Sequence, residues 1–204
     1  MSKSHRIIPW TAPHTVRWYG PGEHCTDPVP GDLILVSHGT GIGRAITIGE
    51  WVLAHLTEPE LKSFTWLDHV ALIRERREND PVRGNGEFVV SEMGPAGHEY
   101  RLLNEYQAHL YAVVHFDVDD DARQTVLDAD DRCGFITYGW LQYPALFVGG
   151  LTGMKAGFSL GTAMICSTEV TMCAQNVYLF PDRPAAAVTP AHIACWVGAV
   201  PPNN

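Results

Sequence analysis

The stretch GDLILVSHGTGIGRAIT, residues 31–47, decides which of two folds this chain adopts. A turn glycine followed by apolar residues predicts a strand over residues 31–37, and a glycine-rich turn then leads into an amphipathic helix predicted over residues 44–56. If a helix followed every strand, the sheet would be parallel and doubly wound. Downstream, however, the strands predicted at residues 86–93 and 110–118 follow one another closely. We therefore predict an α+β fold in which an antiparallel sheet packs against helices.

The glycines of this stretch have part of the spacing found in the nucleotide loop of short-chain dehydrogenases. Gly39, Gly41 and Gly43 match that loop, but Ser37 stands four residues before Gly41, where the loop needs a further glycine. None of the three lysines of the chain follows a tyrosine by four residues, so the Tyr-x-x-x-Lys pair of these enzymes is absent. The pattern therefore favours a tight strand-to-helix turn, and we predict no cofactor.

Length and composition are those of one globular domain. The chain has 204 residues, of which 46% are hydrophobic and 18% charged, which is enough apolar material for a sizeable core. Residues 1–30 are rich in proline, glycine and histidine and show no periodicity. We predict an irregular N-terminal lead-in over residues 1–30 and a single domain over residues 31–204.

Charge and hydropathy narrow the classes of partner. A formal net charge of −9 is unfavourable for binding a phosphate backbone, so no nucleic acid partner is predicted. The uncharged stretch 133–154 contains Gln142, Pro144 and five glycines, so no integral membrane segment is predicted. The N-terminal MSKSHRIIPW lacks the apolar core of a signal peptide, which predicts a cytoplasmic location. The sequence leaves the oligomeric state open.

Residue spacing predicts no metal site. The five cysteines are an odd number without a C-x-x-C pair, and the ten histidines include no His-Glu-x-x-His motif. The acidic run DVDDDARQTVLD, residues 117–128, is spaced like a calcium loop, but Ala122 and Asp128 replace the glycine and glutamate of that loop. We interpret this run as a helix whose aspartates cap its first turn.

Cys166, within MICSTEV, is the candidate nucleophile. A helix is predicted over residues 166–178, and this places the thiol at its N-terminus, where the helix dipole favours a thiolate. A backbone N–H without an intrahelical partner is also available there for an oxyanion. Cys173, two turns later, has neither advantage and is predicted to pack. The alternative interpretation of Cys166 is a small buried core residue.

His69 and Glu92 are the candidates for a general base and for the group that orients it. His69 opens the apolar strand predicted at residues 68–75, and Glu92 ends the next strand, at residues 86–93. Neighbouring strands bring the two side chains together if both face the same side. A nucleophilic cysteine needs such a base and such an orienting group.

The order of these features resembles the permuted NlpC/P60, or papain-like, cysteine hydrolases, and within them the YaeF/YiiX amidase-like branch. PGDLILVS is followed by a helix, then by LDHVALI, FVVSEMGP, YAVVHF, a second helix and ICSTEV. The similarity covers roughly residues 30–180. It implies a circularly permuted papain-like fold for this chain.

The resemblance also implies a role for each candidate residue. Cys166 would be the nucleophile, His69 the general base, and Glu92 the third residue, which orients the imidazole. The implied activity is that of an amidase or peptidase that cleaves an amide or ester bond through an acyl-thioester intermediate. The substrate would be a small molecule, a peptide or an acyl compound.

The sequence departs from the motifs of this family at a few positions. Asp68 replaces the usual small residue before the histidine, Ala71 replaces a glycine two residues after it, and Ile165 replaces an aromatic residue before the cysteine. Glu169 stands one place later than the glutamate of the nucleophile motif. None of these changes removes a group with an expected catalytic role.

Aromatic residues precede the nucleophile within the uncharged stretch 133–154. They wall an apolar pocket, with Tyr138 and Trp140 as the substrate-binding candidates, or they belong to the core. Two further functions stay open. One is an acyltransferase, as in the lecithin:retinol acyltransferase relatives of the same permuted fold, and the other is a catalytically idle papain-like module for binding or assembly.

Overall fold

The computed structural model describes residues 8–9, 13–39, 41–77, 87–94, 96–134, 137–139, 163–175, 177–179 and 184–202. The strands in these ranges are β1 (Ile8–Pro9), β2 (His14–Tyr19), β3 (Leu33–Ser37), β4 (His69–Arg77), β5 (Glu87–Gly94), β6 (Gly97–Leu102), β7 (Leu110–Phe116), β8 (Thr137–Tyr138), β9 (Ala163–Met164) and β10 (Tyr178–Leu179). The helices are α1 (Ile42–Leu56), α2 (Asp120–Asp131), α3 (Cys166–Ala174) and α4 (Pro190–Trp196), with short 3-10 helices at Pro59–Leu61, Leu103–Ala108 and Ala185–Ala187.

A six-stranded sheet forms the centre of the described structure. Its strand order is β2-β7-β3-β4-β5-β6, and every neighbouring pair is antiparallel. Four of these strands, β3, β4, β5 and β7, lie where the sequence predicts them. The prediction of an α+β fold with an antiparallel sheet is therefore confirmed.

The central strand β3 is buried on both faces of the sheet. Leu33 and Leu35 belong to the core that also holds residues of α2, α3 and α4, whereas Ile34 and Val36 pack on the opposite face with Tyr106. Each of these four aliphatic side chains is fully buried, which favours folding by about 1.5–3 kcal/mol apiece. Burial on both sides explains why the apolar run of this strand is continuous and does not alternate.

Helix α2 begins as its aspartates predict. The Asp119 side chain accepts a hydrogen bond from the backbone N–H of Ala122 at 2.8 Å, and Asp120 and Asp121 occupy the first turn. These carboxylates face the positive end of the helix dipole. Among the described residues, no helix is both long enough and apolar enough to cross a membrane.

The prediction of an irregular lead-in over residues 1–30 is wrong for residues 14–19. These residues form β2, which pairs with β7 from His14↔Phe116 to Tyr19↔Tyr111 at the edge of the sheet. Val16 and Trp18 pack against the helix-covered core, so the two-residue period of a strand is present. The prolines and glycines on either side of this short run obscure its period in the sequence.

The apolar run HIACWVGAV, residues 192–200, predicts a final short strand, but its first residues lie within α4, so this prediction is wrong. Pro190 stands in the first turn of the helix, where its missing N–H is not needed. The backbone N–H of Thr189 donates to Nδ1 of His192, as in a capping box. This local capping outweighs the strand preference of the following apolar residues.

Candidate active site

The register of the sheet places His69 and Glu92 on the same face. His69 is the first residue of β4 and lies opposite Val36. Where β4 pairs with β5, Leu72 lies opposite Ser91. His69 is three residues from Leu72, and Glu92 is one residue from Ser91. Because side chains alternate along a strand, both point to the face opposite that of Leu72 and Ser91. They meet there, with Nε2 of His69 2.5 Å from Oε2 of Glu92.

Three groups hold Glu92 as an anion. Besides His69, the Tyr106 hydroxyl donates a hydrogen bond to Oε2, and Nε of Arg101 forms an ion pair with Oε1 at 2.5 Å. Burial would raise the pKa of Glu92, but the hydrogen bond and charge of His69, together with Tyr106 and Arg101, outweigh burial and lower the pKa to about 2. Glu92 is therefore an ionised carboxylate over the physiological pH range.

Cys166 lies close to the same imidazole. It begins α3, is 1% exposed, and acts on the pKa of His69 through its charge and hydrogen bonding. Since Glu92 occupies Nε2, Nδ1 is the ring nitrogen left for the thiol. Burial would lower the pKa of His69, but the charge and hydrogen bond of Cys166, followed by those of Glu92, raise it well above its ordinary value. The structure thus brings together the three residues selected from the sequence.

A cavity of about 300 Å³ adjoins His69 and Glu92. His69 and Glu92 line it together with His38, Arg101 and His109. The His38 ring lies 5.2 Å from the His69 ring and 4.9 Å from the His109 ring, both measured between centroids. The volume is at the lower end of the range for small-molecule sites.

Asp68, the residue before His69, binds the glycine-rich turn to the site. Its carboxylate accepts hydrogen bonds from the backbone N–H groups of His38 and Gly39, both at 3.0 Å, and also contacts Nδ1 of His38 at 3.0 Å. Burial would raise the pKa of Asp68, but these bonds, those of His38 first, lower it. The backbone at position 39 has a φ angle of +67°, a conformation that favours glycine.

Gly43 is needed for a different reason. A Cβ atom at this position would overlap Oδ2 of Asp68, well inside van der Waals contact. The opening glycine-rich stretch therefore wraps around a buried carboxylate beside the candidate site. Its sequence predicts a tight strand-to-helix turn, and β3 and α1 are joined by such a turn.

The sequence does not indicate four further residues of the candidate site, which are His38, Arg101, Tyr106 and His109. Arg101 lies near the end of β6, a strand that was not predicted. The run GPAG at residues 94–97 followed by HEYRL is the signal that would have indicated it, since a turn before an alternating segment is typical of a hairpin.

The structure describes only part of the predicted substrate-binding pair. The backbone of Tyr138 lies in β8 and pairs with Met164 of β9, two residues before Cys166. Trp140 lies outside the described residues, as does most of the aromatic stretch. The assignment of Tyr138 and Trp140 to a substrate pocket stays a prediction.

Comparison with protein-family models gives no match to this sequence, and a search of curated proteins gives none either.

Proposed function

We propose that this chain is a cysteine hydrolase of the permuted papain-like type, which cleaves an amide or ester bond through an acyl-thioester on Cys166. The observation that carries the proposal is the position of His69. Its Nε2 lies 2.5 Å from the ionised Glu92, and Cys166 is close enough for its charge to raise the pKa of the imidazole. A nucleophile, a base and an orienting carboxylate in this relation define such a triad, whatever their order in the chain.

In the proposed reaction, His69 accepts the proton of the Cys166 thiol, and the thiolate forms a C–S bond with the substrate carbonyl carbon. The carbonyl π electrons move to oxygen, where a first-turn N–H of α3 can donate to the oxyanion. When the tetrahedral intermediate collapses, the amine or alcohol leaves with the proton from His69. Water, deprotonated by His69, then attacks the thioester, which releases the acid and restores the thiol.

Selective alkylation tests the nucleophile without knowledge of the substrate. At pH about 6, where an ordinary thiol is protonated, brief iodoacetamide treatment should label Cys166 well ahead of the other cysteines, as read by peptide mass spectrometry. Cys25 and Cys195 are more exposed, so access alone would favour them, but burial raises the pKa of both. Because a hydrogen bond from Cys173 lowers the pKa of Cys133, the experiment is repeated with Cys133→Ser.

Two histidine variants show whether the preference depends on the imidazole beside the thiol. His69→Ala should abolish most of the preference, because the ion pair is lost while α3 remains. His109→Ala removes an imidazole from the same cavity and should keep the preference. Equal labelling of Cys25 and Cys166, or a preference unchanged by His69→Ala, would contradict the hydrolase and favour a binding module.

A further inference from the structure

Three side chains with metal-binding atoms converge in the interior from three separate elements. They are His98 of β6, Asp130 of α2 and Glu169 of α3, and one nitrogen or oxygen of each lies within 4.8 Å of the other two. Nε2 of His98 is 3.4 Å from Oε1 of Glu169 and 3.7 Å from Oδ1 of Asp130. None of these side chains is more than 3% exposed.

Glu169 is the member of this cluster that lacks hydrogen bonds. Among the residues that the structure describes, neither of its carboxylate oxygens accepts one, although the residue is 1% exposed. Asp130 differs, because Nη1 of Arg74 lies 2.5 Å from its Oδ2 and the Ser91 hydroxyl donates to its Oδ1 at 2.9 Å. A buried carboxylate that accepts no hydrogen bond is costly unless a proton or a cation neutralises it.

We propose that His98, Asp130 and Glu169 bind a divalent transition-metal ion of the Zn²⁺ type. Atoms that coordinate such an ion tetrahedrally, at about 2.1 Å, are about 3.4 Å apart, whereas octahedral neighbours are about 3.0 Å apart. The two separations that involve Nε2 of His98, 3.4 and 3.7 Å, fit the tetrahedral arrangement, and the two carboxylate oxygens lie within 4.8 Å of each other. One imidazole nitrogen and two carboxylates are ligands that Zn²⁺ accepts, with water in the fourth position.

Groups around Asp130 are placed to orient it toward the ion. Arg74 and Ser91 bind the Asp130 carboxylate, as the outer partners of metal-binding carboxylates commonly do. Oγ of Ser91 also lies 2.8 Å from Nε2 of His98. For Nε2 to bind the ion, the neutral ring must carry its proton on Nδ1, and Ser91 then keeps only its bond to Asp130.

Such an ion would join β6, α2 and α3 across the helix-covered face of the sheet. It would bind the folded state only, since the three ligands are distant in sequence, so it would raise the melting temperature. The proposal does not depend on the proposed hydrolase activity.

The test uses the full chain carrying Cys166→Ser, which prevents Zn²⁺ from binding the thiol beside His69. After chelator treatment, calorimetric titration with Zn²⁺ should show one ion per chain, and Zn²⁺ should raise the melting temperature. Adding Glu169→Gln should weaken Zn²⁺ binding by a factor of about 100 or more and remove the thermal shift. Because the amide is uncharged, the metal-free protein should melt no lower than its parent, which shows that the fold is kept.

Asp128→Asn is the matched control, since it removes an exposed carboxylate of α2 two residues before a proposed ligand. This variant should bind Zn²⁺ as its parent does. Failure of the Cys166→Ser protein to bind Zn²⁺ would overturn the proposal and indicate that a proton neutralises Glu169. Unchanged binding by Glu169→Gln, or equal loss in Asp128→Asn, would overturn it too, because the ion would then lie elsewhere.

Discussion

His69 has two partners, Glu92 and Cys166, and this arrangement sets the chemistry proposed for the candidate site. Nε2 lies 2.5 Å from the ionised carboxylate of Glu92, which leaves Nδ1 for the Cys166 thiol. Tyr106 and Arg101 keep Glu92 ionised, so the carboxylate fixes the ring and stabilises its protonated form. In the proposed hydrolase, a proton transferred from sulfur to this ring would be stabilised by a fixed anion and not by solvent.

Replacing Glu92 by glutamine should raise the pH at which Cys166 becomes reactive. The amide side chain can still bond to His69, but the negative charge that stabilises the imidazolium is lost, so the thiolate–imidazolium pair forms at higher pH. We expect the midpoint of iodoacetamide alkylation at Cys166 to move up by about 1–3 pH units. The measurement is the alkylation rate against pH, read by peptide mass spectrometry.

Glu99→Gln is the matched control for this variant. Glu99 lies opposite Glu92 in the β5–β6 pair and also binds Arg101, at 2.9 Å, but it does not touch His69. Its alkylation profile should match that of the unmodified protein. If the Glu92→Gln profile matches it as well, another residue stabilises the imidazolium.

At the residue scale, the sequence indicates only those site residues that stand at the boundaries of elements. Cys166, His69 and Glu92 could be selected because local patterns predict a helix start, a strand start and a strand end. Arg101 and Tyr106 could not, because they reach Glu92 only through the pairing of β5 with β6 and the 3-10 helix that follows. No local pattern records that contact.

The turn between β3 and α1 shows how one buried side chain can determine the sequence of a whole element. Asp68 accepts the N–H groups at the end of the strand and leaves no space for a side chain at Gly43. The glycines that have part of the spacing of a nucleotide loop are explained by this carboxylate and by the positive φ angles at Gly39 and Gly41. The turn therefore positions His38 against His69.

Gly43→Ala should destabilise the protein, whereas Gly49→Ala in the same helix should not. The new Cβ at position 43 would overlap Asp68, which costs about 1–3 kcal/mol, typical of overpacking. At position 49 nothing lies within 4 Å of an added Cβ, and alanine is favoured over glycine by about 1 kcal/mol in a helix. Thermal unfolding should show a lower melting temperature for the first variant and a slightly higher one for the second. Equal melting temperatures would mean that Asp68 does not occupy this space.

At the element scale, prediction succeeds where the apolar pattern is long and fails where it is short. β3 and β7 are recognised because their apolar runs are buried on both faces. β2 is missed because its core contacts come from a short alternating run at the sheet edge. α4 is missed because a proline and a cap, which act on the backbone, determine its structure more than hydrophobic periodicity does.

Across the whole molecule, the acidic charge is distributed in a way that composition does not reveal. Among the described residues, six carboxylates are almost fully buried: Asp32, Glu50, Asp68, Glu92, Asp130 and Glu169. Most of them face a cation or several N–H groups, as Asp32 does with Arg123 at 3.0 Å. A net charge of −9 predicts solubility and partner class, but it does not indicate which carboxylates the fold must neutralise.

Glu50 is the buried carboxylate that should make the stability of the protein depend on pH. It lies in α1, and its Oε1 accepts a hydrogen bond from the backbone N–H of Ala191 in α4 at 2.9 Å. Burial raises its pKa to about 8, because the bonds from Ala191 and Thr189 do not offset the loss of solvent. The folded state therefore binds a proton that the unfolded chain, with the ordinary value of 4.5, has lost.

This difference in pKa between the folded and unfolded states determines how stability changes with pH. The contribution of Glu50 is fully present below pH 4.5 and is lost as the pH rises through 8, since the native state then holds a buried charge. Glu50→Gln cannot ionise, so its free energy of unfolding, relative to that of the unmodified protein, should rise between about pH 5 and about pH 9. Urea unfolding at pH values of about 5, 7 and 9 measures this difference.

Glu60→Gln, which changes an exposed carboxylate nearby in the sequence, should differ from the unmodified protein by the same amount at every pH. A Glu50→Gln difference that is equally flat would mean that Glu50 is already ionised in the folded protein.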